Sequence, residues 1–284
     1  MIFSVFPNAQ SDCVIEIAKN VVEELALLGC KAFVSASLKE KFKGTSALFC
    51  EENQLISVCD IAIAVGGDGT MLNVSKKASL CGKQALGINA GRLGFMSGIE
   101  KNELNLLREV VLGNYSIDKR MMLKIEVIKN STVISTHRAL NDAVVSRGEC
   151  ARLVDIDVVS EGRCVSNTRA DGVIVSTPTG STAYSLAAGG PVVSPQMKCF
   201  VLTPICPHSL ISRSIVLPCE SHLCVKVQNG DDNSYLSIDG EQAIPVSDDM
   251  EIRVSLSEYI SKLIKLKPEN FYEILQKKLI ERRY

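Results

Sequence analysis

Residues 172–191, GVIVSTPTGSTAYSLAAGGP, constrain this chain more than any other stretch. An apolar run at 173–175 stops abruptly at a loop rich in Thr, Ser, Pro and Gly. A small-residue helical pattern opens at about Ser181. A strand that ends in hydroxyls and free backbone N–H groups before a helix start suits a phosphate or a nucleotide ribose. A second loop of the same kind, GGDGT at 66–70, follows the apolar run 61–65. Two glycine-rich strand-to-helix loops, one holding an Asp, suggest a two-sided nucleotide site.

The 284 residues suffice for one large or two ordinary domains. A net charge of −1 gives no argument for nucleic-acid binding. No run of roughly 18 apolar residues marks a transmembrane helix. The start, MIFSVFPNAQSD, reads as a first strand, not a signal peptide. The 11 cysteines are odd in number, form no CxxC and lie in apolar runs at Cys13, Cys30, Cys59, Cys199 and Cys224. That pattern predicts reduced, mostly buried thiols in a cytoplasmic protein. The 3 histidines are scattered, so no zinc site is expected.

The first hundred residues alternate strand and helix signals, which predicts a Rossmann-like parallel sheet with helices on its faces. Strands are expected at 1–6, 31–35, 60–65 and 84–89. Asp12 is expected to cap a helix whose apolar positions recur from Val14 to Leu28, with Gly29 ending it. Further helices are expected at 71–79 and 101–112. From about Asn114 the texture turns to short strands separated by turn signals, including a hairpin at Glu161-Gly162. This predicts an all-β sandwich. The expected organisation is an α/β domain at 1–113, a β-sandwich domain at 114–266, and a helical segment at 267–284 packing back on the first domain.

In the GGDGT loop, Gly66 and Gly67 let the backbone turn sharply and approach an anion. Asp68 is presented at the mouth of the sheet, and Thr70 can cap the next helix. No Walker A pattern is present. Asp68 can accept a hydrogen bond from an attacking hydroxyl, help hold Mg²⁺, or simply cap a glycine turn. Asn141 and Asp142 suit ribose hydroxyls, or else form a turn or strand-edge pair. Arg169 and Asp171, two apart on an extended segment, point the same way and suit a phosphate and a carboxamide, or form a surface pair. Tyr184 suits stacking on a flat ring, or a core or rim position. Asp239-Gly240-Glu241-Gln242 reads as a turn, and His208 as a loop residue.

These motifs, in this order, resemble the NAD kinase family of bacterial type. The resemblance rests on GGDGT at 66–70, Asn141-Asp142, TPTGSTAYSLAAGGP at 177–191, LTPICPHSL at 202–210 and Asp239-Gly240. It runs from about Asp60 to Asp239. It implies an α/β domain and a β-sandwich domain with NAD bound between them. It implies that Asp68 is the proton acceptor for the 2′-hydroxyl of the adenosine ribose and that Gly69 lies beside the nucleotide. Asn141, Asp142, Arg152, Arg169 and Asp171 are implied ligand contacts. Thr182, Ala183, Tyr184, Ser185, Leu186 and Ala187 are implied to cradle the dinucleotide. The family more often has Asn-Glu where this chain has Asn141-Asp142; Asp is one methylene shorter and keeps the chemistry. The resemblance also implies a homo-oligomer, since the 169–171 region of relatives can meet ligand across a subunit interface.

The expected activity is transfer of the ATP γ-phosphoryl group to NAD, giving NADP, with Mg²⁺ or another divalent cation accompanying ATP. Small-molecule substrates are expected, with neither nucleic acid nor membrane as partner. A GGDGT-type lipid kinase is the alternative enzyme, but no apolar or basic membrane-facing patch is visible. A non-catalytic NAD(P)-binding sensor would not need Asp68.

Overall fold

The computed structural model describes residues 1–91, 94–148, 152–209, 211–228, 234–241, 243–267 and 271–281, with side chains up to 278. The chain forms two compact units. The first comprises Met1–Lys119 and Ser261–Tyr284, and the second Arg120–Ile260.

The first unit opens with β1 (Ile2–Pro7), α1 (Asp12–Leu27), β2 (Lys31–Ser35) and β3 (Leu48–Cys50). Then come α2 (Leu55–Val58), β4 (Ile61–Gly66), α3 (Asp68–Leu80), β5 (Gln84–Asn89), β6 (Ile99–Glu100) and α4 (Leu107–Leu112). β7 (Ser116–Lys129) carries the chain into the second unit, followed by β8 (Thr132–Ala139), β9 (Asp142–Arg147), β10 (Val154–Ser160), β11 (Arg163–Ala170) and β12 (Gly172–Ser176). Next are α5 (Tyr184–Ala187), β13 (Cys199–Ile205), β14 (Ile215–Pro218), β15 (Leu223–Gln228), β16 (Ser234–Ile238) and β17 (Ile244–Val246). β18 (Met250–Lys265) ends within the first unit, followed there by α6 (Phe271–Glu281).

In the first unit β1 pairs in parallel with β2 and β4, and β4 pairs in parallel with β5. Lys262 and Leu263 of β18 lie beside Gln84 and Ala85, also in parallel. Period-two alternation sends Ile61, Ile63 and Val65 into one core with Val14, Ala18, Val21 and Leu25 of α1. Ala62 and Ala64 are equally buried and point the other way. Both faces of β4 are therefore covered, as a parallel strand requires.

The second unit is a β-sandwich. One antiparallel sheet runs β14-β13-β12-β9-β16-β17. Facing it are β11-β10-β15-β18, with β18 also paired to β7 and β7 to β8. Inward residues of both sheets share one core, among them Ile125, Val145, Ile156, Val175, Phe200 and Ile252. Such interdigitation of alternate residues is the usual sandwich core. The expected hairpin turn is present, with Glu161 and Gly162 both at positive φ.

Several local expectations are corrected. Ser11, not Asp12, is the N-cap of α1, and Asp12 is its first residue. β3 precedes the strand expected third; it is short, and the sequence around it shows no alternation. The helix expected at 101–112 is a 3-10 turn, Leu104–Leu106, running into α4. The thiols are not mostly buried: among the described cysteines only Cys59, Cys199 and Cys219 are, and all ten are free. Cys13 is exposed because it lies off the apolar stripe of α1. No helix among the described residues is long and apolar enough to cross a membrane.

Candidate active site

In the first unit, β4 runs directly into the GGDGT loop. Gly66 has φ +156°, and a Cβ there would lie 2.7 Å from Thr70 Oγ1. The turn thus requires glycine. Gly67 is the N-cap of α3, and Asp68 already belongs to the helix. Thr70 therefore sits inside the first turn and does not cap it. A Cβ at Gly67 or Gly69 would meet nothing within 4 Å. Their open faces suit close approach of a ligand to the backbone. The loop borders a cavity of about 400 Å³, lined also by Asn8, Asn89 and Lys278.

The Asp68 carboxylate is held from three sides. Phe95 N–H donates to Oδ2 at 3.2 Å and Met96 N–H to Oδ1 at 3.3 Å. Lys278 Nζ of α6 donates to Oδ2 at 2.8 Å. A Cβ at Gly94 would stand 2.6 Å from Oδ1, so a side chain there would push the carboxylate from its place. An ionised carboxylate offers about four lone-pair sites. Three donors orient it and leave one site for a hydroxyl. The sequence reading missed Phe95, Met96 and Lys278. A signal for the first two was present in the sequence: Gly91 and Gly94 follow closely on the strand at 84–89.

In the second unit the long motif folds onto the Asn-Asp pair. Thr177 N–H donates to the Asn141 carbonyl at 2.8 Å, and Thr177 Oγ1 donates to the Leu140 carbonyl at 2.6 Å. Gly180 is packed so closely that a Cβ would fall 2.1 Å from the Asn141 carbonyl oxygen. Buried Ser181 donates to the Pro178 carbonyl and accepts from Val193 N–H. The helical pattern expected from Ser181 is only a 3-10 turn, Gly180–Thr182, and the single turn α5. The glycines at 189 and 190 stop it there. Within this segment Ser185 is buried, bonded to Thr203 Oγ1 at 3.0 Å, while Tyr184 is 47% exposed. Thr182, Ala183 and Leu186 are half-buried and Ala187 is exposed. Tyr184 is thus no core residue.

Asp239 organises the same corner. Its carboxylate accepts from the backbone N–H groups of Leu140 at 3.0 Å, Asn141 at 2.7 Å and Asp142 at 3.2 Å. It does so from the left-handed region, with φ +52°. Asp142 is buried, and desolvation first, then the Asp239 charge, pushes its carboxyl up to about 7.

Arg169 and Asp171 do not act as a pair. Asp171 Oδ1 binds Arg147 Nε at 2.5 Å, and Arg169 Nε lies 3.8 Å from Asp155 on the neighbouring strand. The strand ends between them at Ala170, which separates their partners. Arg169 is exposed, as is Arg152 ahead of β10. The Arg169 carbonyl accepts from His208 N–H. Glu241 lies in the expected turn, its N–H bonded to the Ile238 carbonyl. Gln242 and Leu210, and residues 268–270 and 282–284 of the expected helical segment, lie outside the described residues.

Among the described residues no three His, Cys, Asp or Glu side chains gather to hold a metal. A single carboxylate beside an open glycine loop fits Mg²⁺ that arrives mostly bound to substrate phosphates.

The ATP-NAD kinase N-terminal domain profile matches residues 3–115, and the ATP-NAD kinase C-terminal domain profile matches residues 140–266. The NAD kinase of Caldanaerobacter subterraneus subsp. tengcongensis is 38% identical over 279 residues, covering 98% of each chain. That of Citrifermentans bemidjiense is 32% identical over 279 residues, covering 97% of each. The yeast NADH kinase in complex with NADH superposes with a TM-score of 0.85 at 28% identity, covering 96% of this chain and 85% of its own. An Archaeoglobus fulgidus NAD kinase shares the fold, with a TM-score of 0.74 at 24% identity and 98% of each chain covered. Both domain profiles and the near full-length relatives show that this chain belongs to the ATP-NAD kinase family.

Proposed function

We propose that this protein transfers the γ-phosphoryl group of ATP to the 2′-hydroxyl of the adenosine ribose of NAD, making NADP and ADP. The observation that carries the reading is Asp68, oriented by Phe95 N–H, Met96 N–H and Lys278 beside a glycine-lined cavity. The bond from the γ-phosphorus to the bridging oxygen breaks, and ADP leaves with the electron pair. A new bond forms to the 2′-oxygen, whose proton passes to Asp68. The transition state is loose, so orientation of the hydroxyl contributes more than proton abstraction itself. Mg²⁺ bound with ATP supplies neutralisation of the donor phosphates.

On this reading Asp68 and Gly69 serve the reacting centre, and Asn141 and Asp142 hold ribose hydroxyls. Thr182, Ala183, Tyr184, Ser185, Leu186 and Ala187 cradle the dinucleotide, with Tyr184 free to stack. Arg152, Arg169 and Asp171 contact ligand within a homo-oligomer, which light scattering would test. The functional division is 1–113 with 267–284 for phosphoryl transfer, and 114–266 for the dinucleotide. The free thiols support a cytoplasmic setting.

The test is NADP formation from NAD, ATP and Mg²⁺, with Asp68→Asn alongside. The variant loses on the order of 10²-fold or more in turnover, with little change in NAD affinity. Near-normal turnover in the variant would remove Asp68 from this role.

A further inference from the structure

We infer that Lys278 is the phosphate-binding cation of the reaction, delivered to the glycine-lined cavity by α6. The inference rests on the phosphoryl-transfer reading above and adds a residue to it. Among the described residues lining the cavity, Lys278 is the one cation and Asp68 the one anion. A cavity whose only charge were Asp68 would repel a polyphosphate chain. Lys278 neutralises that charge, and its side chain is held mostly out of solvent, 19% exposed.

Two contacts place the ammonium. Nζ lies 2.8 Å from Asp68 Oδ2 and 4.2 Å from the centroid of the Phe95 ring. The same Phe95 gives its backbone N–H to Asp68. Phe271, at the start of α6, lies 6.1 Å from Phe95 between ring centroids, so a second contact ties the helix to this loop. An ammonium carries three N–H donors. One serves Asp68 and the others are open to a phosphate oxygen. Lys278 therefore bridges the base and the transferring group, compensating charge as it spreads over the phosphoryl oxygens.

The experiment uses the full chain with Lys278→Met, Lys278→Arg and, as a charge-matched control, Lys277→Met on the exposed side of α6. Lys278→Met lowers kcat on the order of 10²-fold, the loss typical of removing one transition-state donor. Lys278→Arg restores part of it, and Lys277→Met changes nothing. Calorimetric titration with inorganic tripolyphosphate gives a second readout, binding weakened about tenfold or more by Lys278→Met. Unchanged kcat and tripolyphosphate affinity would overturn the inference. A higher kcat in Lys278→Met would also overturn it, showing that the lysine blocks Asp68 instead of serving it. If no form makes NADP, the kinase reading fails, while tripolyphosphate binding still decides whether Lys278 binds phosphate.

Discussion

Asp142 donates its backbone N–H to the Asp239 carboxylate at 3.2 Å, while its own buried carboxyl is held up to about 7 in part by that same charge. One neighbour both fixes the backbone and disfavours ionisation.

The pair has a pH signature. The folded-state value for Asp142 lies above the unfolded value near 3.8. The native state therefore binds more protons between those limits. Stability from this group is full below the lower value and is lost as pH rises through about 7. Between pH 5 and 8 the wild type should lose roughly 3 kcal/mol relative to Asp142→Asn. Urea unfolding of both at the two pH values checks this; parallel profiles would show that Asp142 ionises normally.

Asp239→Ala leaves three backbone N–H groups without their acceptor. Partial rescue by solvent limits the cost to about 3 kcal/mol in unfolding free energy. The KM for NAD should rise with it, because Asn141 and Asp142 lose their anchor. A stable variant with wild-type KM would show that the corner holds itself.

Gly180→Ala places a methyl against the Asn141 carbonyl, a backbone atom that cannot swing aside. We expect about 3 kcal/mol of destabilisation in denaturant melts. Gly67→Ala, with open space at that position, serves as the contrast and should cost far less stability. Equal costs would point to backbone freedom, not the collision, as the cause.

Tyr184→Ala should leave stability within about 0.5 kcal/mol, since the ring is largely exposed. If the ring stacks on the dinucleotide, NAD affinity falls about fivefold or more. Fluorescence titration with NAD decides; unchanged affinity would make the ring a bystander.

Much of the fold was legible because side-chain period and backbone breaks coincide. The apolar spacing from Val14 to Leu25 and the positive φ of Gly29 bound α1, and β2 and β5 fall at their expected residues. β18 is less legible. Its later half alternates poorly, with Leu256 and Ile260 exposed, and takes its conformation from pairing partners. At the site, Asp68 and the Asn141-Asp142 pair were visible as local motifs. The partners of Asp68 were not, since they arrive from 27, 28 and 210 residues away. Asp239 looked like an ordinary turn because its work is to accept backbone N–H groups nearly a hundred residues upstream, a role that leaves no local trace.

The first unit is also discontinuous in sequence, with β18 and α6 made after the whole of the second unit. During synthesis β5 must wait for Lys262 and Leu263, and Asp68 must wait longer for Lys278. A nascent chain can therefore complete its sandwich before β5 gains its late neighbour and before Asp68 meets Lys278.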